Sequence, residues 1–178
     1  MIKERPNKPK ILILGHARSG KDTLGELFNE FYGITFKSSS ETANELFIYD
    51  KLKDAHGYTS PLECFNDRYD KRTTWYDMIC EYNKDDRARL AKDILVDTDC
   101  YVGMRDLEEF SECVNQNLFD RVIWVDASKR LTDETGSFNI PMSRADDVID
   151  NNGTKDEFRQ NVIEFGKKFL NSFISDEY

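Results

Sequence analysis

The sequence is poor in the residues that build metal centres and disulfide frameworks. It has four cysteines, Cys64, Cys80, Cys100 and Cys113, and two histidines. None of the cysteines pairs at C-x-x-C spacing, so neither a zinc site nor a stapled secreted domain is indicated, and free thiols in a reducing cytosol are expected. The four prolines are scattered and mark no linker, and repeats and low-complexity tracts are missing. No apolar run approaches the roughly 20 residues of a bilayer span. The basic start MIKERPNKPK leads into only four apolar residues, Ile11 to Leu14, which predicts no secretory signal, no membrane partner and a cytoplasmic location. Asn152-Gly153-Thr154, a glycosylation acceptor in form, therefore reads as a turn. Positive charge is scarce too: Lys plus Arg total 25 against 34 for Asp plus Glu, a formal charge of −9. Such a balance repels a nucleic-acid backbone at long range.

What is present suits one folded domain over residues 1–178, since 39% hydrophobic and 12% aromatic residues can build a core and exclude wholesale disorder. Short apolar runs alternate with helical stripes. Ile11–Leu14, 34–37, 100–104, 122–125 and 148–149 read as strands, the first buried on both faces. Leu24, Leu27, Phe28 and Phe31 form the stripe of a helix closed by Gly33. Ser38 with Glu41 predicts a capping box and a helix toward Gly57, and residues 60–97 read as helical almost throughout. Leu107, Phe110 and Val114 mark another helix; Thr154 with Glu157 caps the last, packed through Phe158, Val162, Phe165 and Phe169. The alternation predicts an α/β fold of three layers around a parallel five-stranded sheet, with a helical insert at about 38–97.

Between the first strand and the first helix lies Gly15-His16-Ala17-Arg18-Ser19-Gly20-Lys21-Asp22-Thr23. Its G-x-x-x-x-G-K core, in strand–loop–helix order, is the phosphate-binding loop pattern. Glycines let the chain wrap a phosphate closely with backbone N–H groups pointing inward. The helix N-terminus adds partial positive charge, and Lys21 a full one. All nine residues are candidates for contacting ATP. The hydroxyl residue that usually follows the lysine is replaced by Asp22, which leaves Thr23 as the candidate for the Mg²⁺ shell.

The stretch GHARSGKDT resembles the phosphate loop of nucleoside monophosphate kinases, and especially of phage deoxynucleoside monophosphate kinases. Tyr101-Val-Gly-Met-Arg105 is similar to that family's strand ending in an arginine that grips the acceptor phosphate, with Gly103 where an aspartate commonly anchors the metal's water shell; Asp97 and Asp99 precede that strand. Val125-Asp-Ala-Ser128 resembles the strand leading into the lid, and Val148 to Thr154 the last strand and turn. The resemblance implies a P-loop kinase fold, ATP and Mg²⁺ as cofactors, and a short lid at about 128–144. It also implies catalytic roles for Lys21, Arg105, Arg130 and Arg144.

In the insert, cations mix with aromatics, and Lys37, Arg68, Arg72 and Trp75 are candidates for holding a small nucleotide acceptor: arginine forks for its phosphate, rings for its base. Trp75 also lies on a helical stripe with Met78, Ile79 and Tyr82, which reads equally as core. A second reading is a phage kinase of 5-hydroxymethyluracil in DNA, whose alcohol nucleophile needs a base such as Asp22, Asp50 or Asp77. Lys37, Lys51, Lys53, Arg68 and Arg72 would be its basic patch. A GTPase switch is suggested by Asp54-Ala-His-Gly57 (D-x-x-G) and Asn83-Lys84-Asp85-Asp86 (N-K-x-D), and a non-catalytic nucleotide-binding module remains open.

Overall fold

The computed structural model describes residues 8–132 and 138–171. Five strands form one parallel sheet: β1 (Ile11–Leu14), β2 (Phe36–Ser38), β3 (Cys100–Val102), β4 (Arg121–Asp126) and β5 (Asp147–Asp150). Their spatial order is β2-β3-β1-β4-β5, which puts β1 at the centre. Ile11 pairs with Cys100 on one side and Arg121 on the other. All four residues of β1 are fully buried, as expected of a strand covered on both faces.

Side chains alternate across the sheet and feed two cores. Leu12, Leu14, Tyr101 and Trp124 point into one; Ile11, Ile13, Val102, Ile123 and Val125 into the other. Helix α1 (Lys21–Tyr32) covers the second face through Leu24, Leu27 and Phe28. It shares that face with the last helix, whose Phe158 and Val162 reach the same core. Helices make three layers, as the sequence predicts.

The insert is helical but more broken than its periodicity suggests. After β2 the chain forms α2 (Ser39–Ala43), a π-helical turn over Asn44–Ile48, and α3 (Tyr49–His56), closed by Gly57. Then come α4 (Pro61–Asn66), a 3₁₀ segment over Asp67–Lys71, α5 (Arg72–Tyr82) and α6 (Arg89–Asp97). α7 (Leu107–Asn115) joins β3 to β4, and α8 (Lys155–Lys168) follows β5. Thr154 and Glu157 make the predicted capping box at α8; at α2 Ser38 accepts from the Glu41 N–H.

Four strands change their bounds, β4 by gaining Arg121 and Asp126 at its ends. β2 begins at Phe36, because the Thr35 N–H is taken by the Asp99 carboxylate and not by a strand. β3 stops at Val102 because Gly103 turns the chain at φ +90°. β5 runs over four residues, tied to β4 from Ile123 to Asp126. The four cysteines are free thiols. No helix among the described residues is long and apolar enough to cross a membrane.

Candidate active site

The loop from 15 to 20 leaves the central strand and enters α1 at the C-terminal edge of the sheet, where open α/β sheets bind ligands. Gly15 has φ +147° and Gly20 φ +101°. A side chain at Gly15 would stand 2.7 Å from Ser19 Oγ and 2.8 Å from the Val125 carbonyl, so glycine is required by space as well as by angle. Arg18, at φ +63°, takes a conformation that non-glycine residues seldom adopt outside functional turns. Gly20 is the N-cap of α1 and offers no side chain to the helix's first turn, so the helix end is open to an anion.

Lys21 Nζ donates to the His16 carbonyl at 2.7 Å and so straps the loop from within. The loop is braced from outside as well. Asn151 Nδ2 donates to the Ser19 carbonyl at 2.7 Å, and its own N–H donates to the Asp126 carbonyl at 2.7 Å. Arg130 Nε donates to the Asn151 carbonyl at 2.7 Å. Asp126 accepts from the Ser128 N–H and from Asn152 Nδ2, bonds that hold its carboxyl below the usual range. Ser19 is 1% exposed and its hydroxyl has no partner among the described residues, an orphan donor inside a cradle of positive-φ turns. That combination fits a phosphate.

A cavity of about 460 Å³ opens beside the loop. Gly15, Ala17, Arg18, Lys21 and Asp22 form one wall; the insert supplies Arg68, Arg72, Trp75 and Tyr76 opposite; Arg105, Asp106 and Glu109 close the remaining side. The end of β3 faces the lysine, since a methyl at Gly103 would stand 3.9 Å from Lys21 Cε. A second cavity of about 430 Å³ lies on the other side of the loop, lined by His16, Ser19, Trp124, Asp126 and Phe138. There His16 packs against the rings of Trp124 and Phe138 at 5.4 and 5.0 Å.

The structure thus brings together Lys21, Arg68, Arg72, Trp75 and Arg105 around one space. Arg68 is set by its neighbours: its guanidinium lies 3.7 Å from the Phe65 ring centroid and 4.2 Å from that of Tyr69, and it donates to the Phe65 carbonyl. Trp75 is both core and cavity wall, 4% exposed. Arg130 reaches the loop's outer side. Other candidates lie apart. Lys37 does not line the cavity; its ammonium is paired with Glu45 at 2.9 Å. Arg144 is exposed on a 3₁₀ turn (Met142–Arg144) and lines neither cavity. Thr23 is exposed in the first turn of α1, whereas Asp22 lines the cavity. The lid expectation falls partly on residues 133–137, outside the described residues.

Asp50 is bridged to Lys53 at 2.7 Å, and neither it nor Asp77 lines the cavity. The proposed basic patch is neutralised by its own acids at Lys37 and Lys53. The GTPase-like strings serve the fold: Asp54 and Gly57 end α3 on the surface, and buried Asn83 accepts from the Leu90 N–H at 3.0 Å to turn α5 into α6. Asp99 is structural, accepting from the Thr35 N–H and hydroxyl at the start of β3. Among the described residues no three acidic, His or Cys side chains cluster to hold a metal, so Mg²⁺ would depend on phosphate oxygens and water with Asp22 or Thr23 at its edge.

Sequence reasoning missed the acids at the cavity's far end. Asp106 caps α7, accepting from the Glu109 N–H at 3.0 Å, and accepts the Tyr76 hydroxyl at 2.8 Å. Glu109 is 2% exposed and accepts the Tyr101 hydroxyl at 2.9 Å. Burial, with the Asp106 charge nearby, pushes its carboxyl up to about 8. The Asp106-x-x-Glu109 spacing announces the cap, but nothing in the letters announces a buried acid.

No protein-family model matches the chain, and no curated protein matches its sequence. Solved structures do. A gluconokinase from Sinorhizobium meliloti 1021 superposes with a TM-score of 0.51 at 13% identity, covering 98% of this chain and 100% of that one. Shikimate kinase from Aquifex aeolicus vf5 gives 0.45 at 12% identity over 89% and 98% of the two chains. The Mycobacterium tuberculosis APS kinase CysC Cys556Ala mutant gives 0.44 at 16% over 91% and 99%. The gluconokinase likeness is one of fold: this chain shares its three-layer α/β architecture, with the glycine-bearing loop at 15–20 after the central strand.

Proposed function

We propose that the chain is an ATP-dependent phosphotransferase of the P-loop kinase type acting on a deoxynucleotide, a deoxynucleoside monophosphate kinase of the phage kind. The observation that carries this reading is the shared cavity: the phosphate loop with Lys21 forms one wall, and Arg68, Arg72 and Arg105 stand around the rest. A lysine and arginines around one space suit two anions that must be brought together. The size, about 460 Å³, and the rings of Phe65, Tyr69 and Trp75 suit a nucleotide better than a bare sugar acid.

In this reading the loop amides, Lys21 and the Ser19 hydroxyl hold the β- and γ-phosphates of ATP. Arg130 braces the loop from the lid side. Arg72 and Arg105 hold the acceptor phosphate. Its oxygen is already ionised, so no strong base is required: the oxygen bonds to the γ-phosphorus as the bond to the β–γ bridging oxygen breaks, leaving ADP. Mg²⁺, when bound, neutralises charge on the β- and γ-phosphate oxygens. Transfer to a hydroxymethyl group in DNA is the second reading. Asp22 on the cavity wall favours it as a base for an alcohol, and the self-neutralised basic patch argues against a DNA track.

The test is radiolabelled ATP offered in parallel to deoxynucleoside monophosphates and to DNA containing hydroxymethyluracil. Label in a nucleoside diphosphate supports the first reading. Label in DNA replaces it with the second, and ATP binding without transfer reduces the chain to a binding module.

A further inference from the structure

Arg68 lines the cavity from a segment with little of its own to hold it. It lies on the 3₁₀ turns Asp67–Lys71 between α4 and α5, where no residue is buried and the N-terminal end has no side-chain cap. Hydrogen bonds in a 3₁₀ helix are poorly aligned, so neither the core nor the local backbone fixes where the segment stands. The contacts of the guanidinium are local as well. It lies over the rings of Phe65 and Tyr69 and donates to the Phe65 carbonyl at 2.7 Å and to the Tyr69 hydroxyl at 2.9 Å. These partners are three residues before it and one after; they fix the guanidinium on the segment and move with it.

Asp67 supplies a tie to the rest of the insert. Its Oδ2 accepts from the Tyr58 hydroxyl and from Lys71 Nζ, one turn further on. Tyr58 follows Gly57, which closes α3, and its N–H donates to the Lys53 carbonyl at 3.0 Å. Its ring packs against the core and stacks on His56 at 5.5 Å. Among the described residues, the bond from Tyr58 is the one side-chain hydrogen bond that joins the segment to the end of α3. The bonds from Lys71 and Tyr58 hold the Asp67 carboxyl below its usual range, so the tie is charge-assisted near neutrality. Tyr58, Asp67 and Lys71 themselves stand outside the cavity wall.

We propose that Asp67 is a positioning residue for the acceptor: through Tyr58 it anchors the 3₁₀ segment to the end of α3 and so sets where Arg68 meets the acceptor's phosphate. The proposal rests on the reading of this cavity as the acceptor site, and it assigns a role to a residue that does not touch the acceptor. A guanidinium holds phosphate well only when its N–H fork meets the oxygens in register, and a displacement of about 1 Å forfeits much of that binding. The tie contributes little to global stability, because the Lys71 and Asp67 side chains are 23% and 37% exposed and such pairs are weak. Asp67→Ala should therefore fold.

The experiment is calorimetry of dAMP, dGMP, dCMP and dTMP, without ATP, on the whole chain as wild type, Asp67→Ala, Arg68→Ala and the double variant. For the nucleotide that the wild type binds most tightly, Arg68→Ala is expected to raise Kd about tenfold and Asp67→Ala about fivefold. In the Arg68→Ala background the Asp67 change should add less than about twofold, since the group it positions is gone. A merely structural Asp67 would weaken binding by the same factor in both backgrounds. Tyr58→Phe, which keeps the ring on His56 and removes the hydroxyl, should reproduce the Asp67→Ala loss. ATP affinity of Asp67→Ala should stay within about twofold of wild type, because the clamp and the phosphate loop share no partner. Full acceptor affinity in Asp67→Ala, equal factors in the two backgrounds, or a parallel fall in ATP affinity overturns the proposal, while a loss in Arg68→Ala keeps the acceptor reading standing. No binding of any of the four nucleotides, or full affinity in Arg68→Ala, overturns both.

Discussion

Asn151 Nδ2 donates to the carbonyl oxygen of Ser19 at 2.7 Å, a bond that joins the turn after β5 to the phosphate loop. The two segments are 132 residues apart in sequence, so the shape of the loop depends on the closure of the whole sheet. Arg130 reinforces the joint through the Asn151 carbonyl.

Asn151→Ala removes that brace and leaves the Ser19 carbonyl without its best donor. The expected loss is about 1 kcal/mol in stability, with ATP affinity weakened several-fold. Arg130→Ala should do less, because its side chain is exposed. Denaturant titration and ATP calorimetry on both variants check the order.

Gly15→Ala places a methyl against Ser19 Oγ and the Val125 carbonyl at a φ of +147°. A backbone carbonyl cannot move aside cheaply, so the loop must open. ATP binding should fall by more than about tenfold, with a stability loss of roughly 1–3 kcal/mol. Calorimetry and thermal unfolding of the variant decide it.

If the cavity beside the loop takes the acceptor, Arg72→Ala and Arg105→Ala should raise the acceptor KM by about tenfold or more, since both residues line it. Lys37→Ala, whose ammonium belongs to Glu45, should change KM by less than about twofold. Steady-state kinetics over acceptor concentration separates the three.

Glu109 makes stability fall as pH rises. Its proton is held more tightly in the folded chain, where its carboxyl sits at about 8 against a reference of 4.5. Between those values the native state binds more protons than the unfolded chain, and the stability present below about 4.5 is lost at up to about 1.4 kcal/mol per pH unit. Above about 8 the loss levels off. Glu109→Gln should flatten this decline, as read from unfolding midpoints between pH 5 and 9.

The sheet and the loop were legible because their signals are local. Ile11–Leu14 can only be a doubly covered strand, and GHARSGK can only make its turns with glycine at 15 and 20. The site's other half was legible in composition and not in position. Arg68, Arg72 and Arg105 carry the right chemistry for an anion, and they converge on the cavity. Lys37 carries it as well but is paired with Glu45 on the π-helical turn that follows α2, a partner eight residues on that no motif announces. Arg144 lies on an exposed turn that no periodicity describes. Asp106 and Glu109 carry no local signal beyond a cap and a first-turn acid of α7; their setting follows from how α7 meets Tyr101 and Tyr76, contacts 8 and 30 residues away in sequence.

The central claim is that the loop at 15–23 holds ATP for transfer, and acceptor-dependent ADP release by the wild type and Lys21→Ala measures it directly. Expected are release in the wild type and a loss of kcat on the order of 10²–10⁴ in the variant, with stability lowered by no more than about 1 kcal/mol for the lost Lys21–His16 strap. Equal turnover by the two proteins would contradict it.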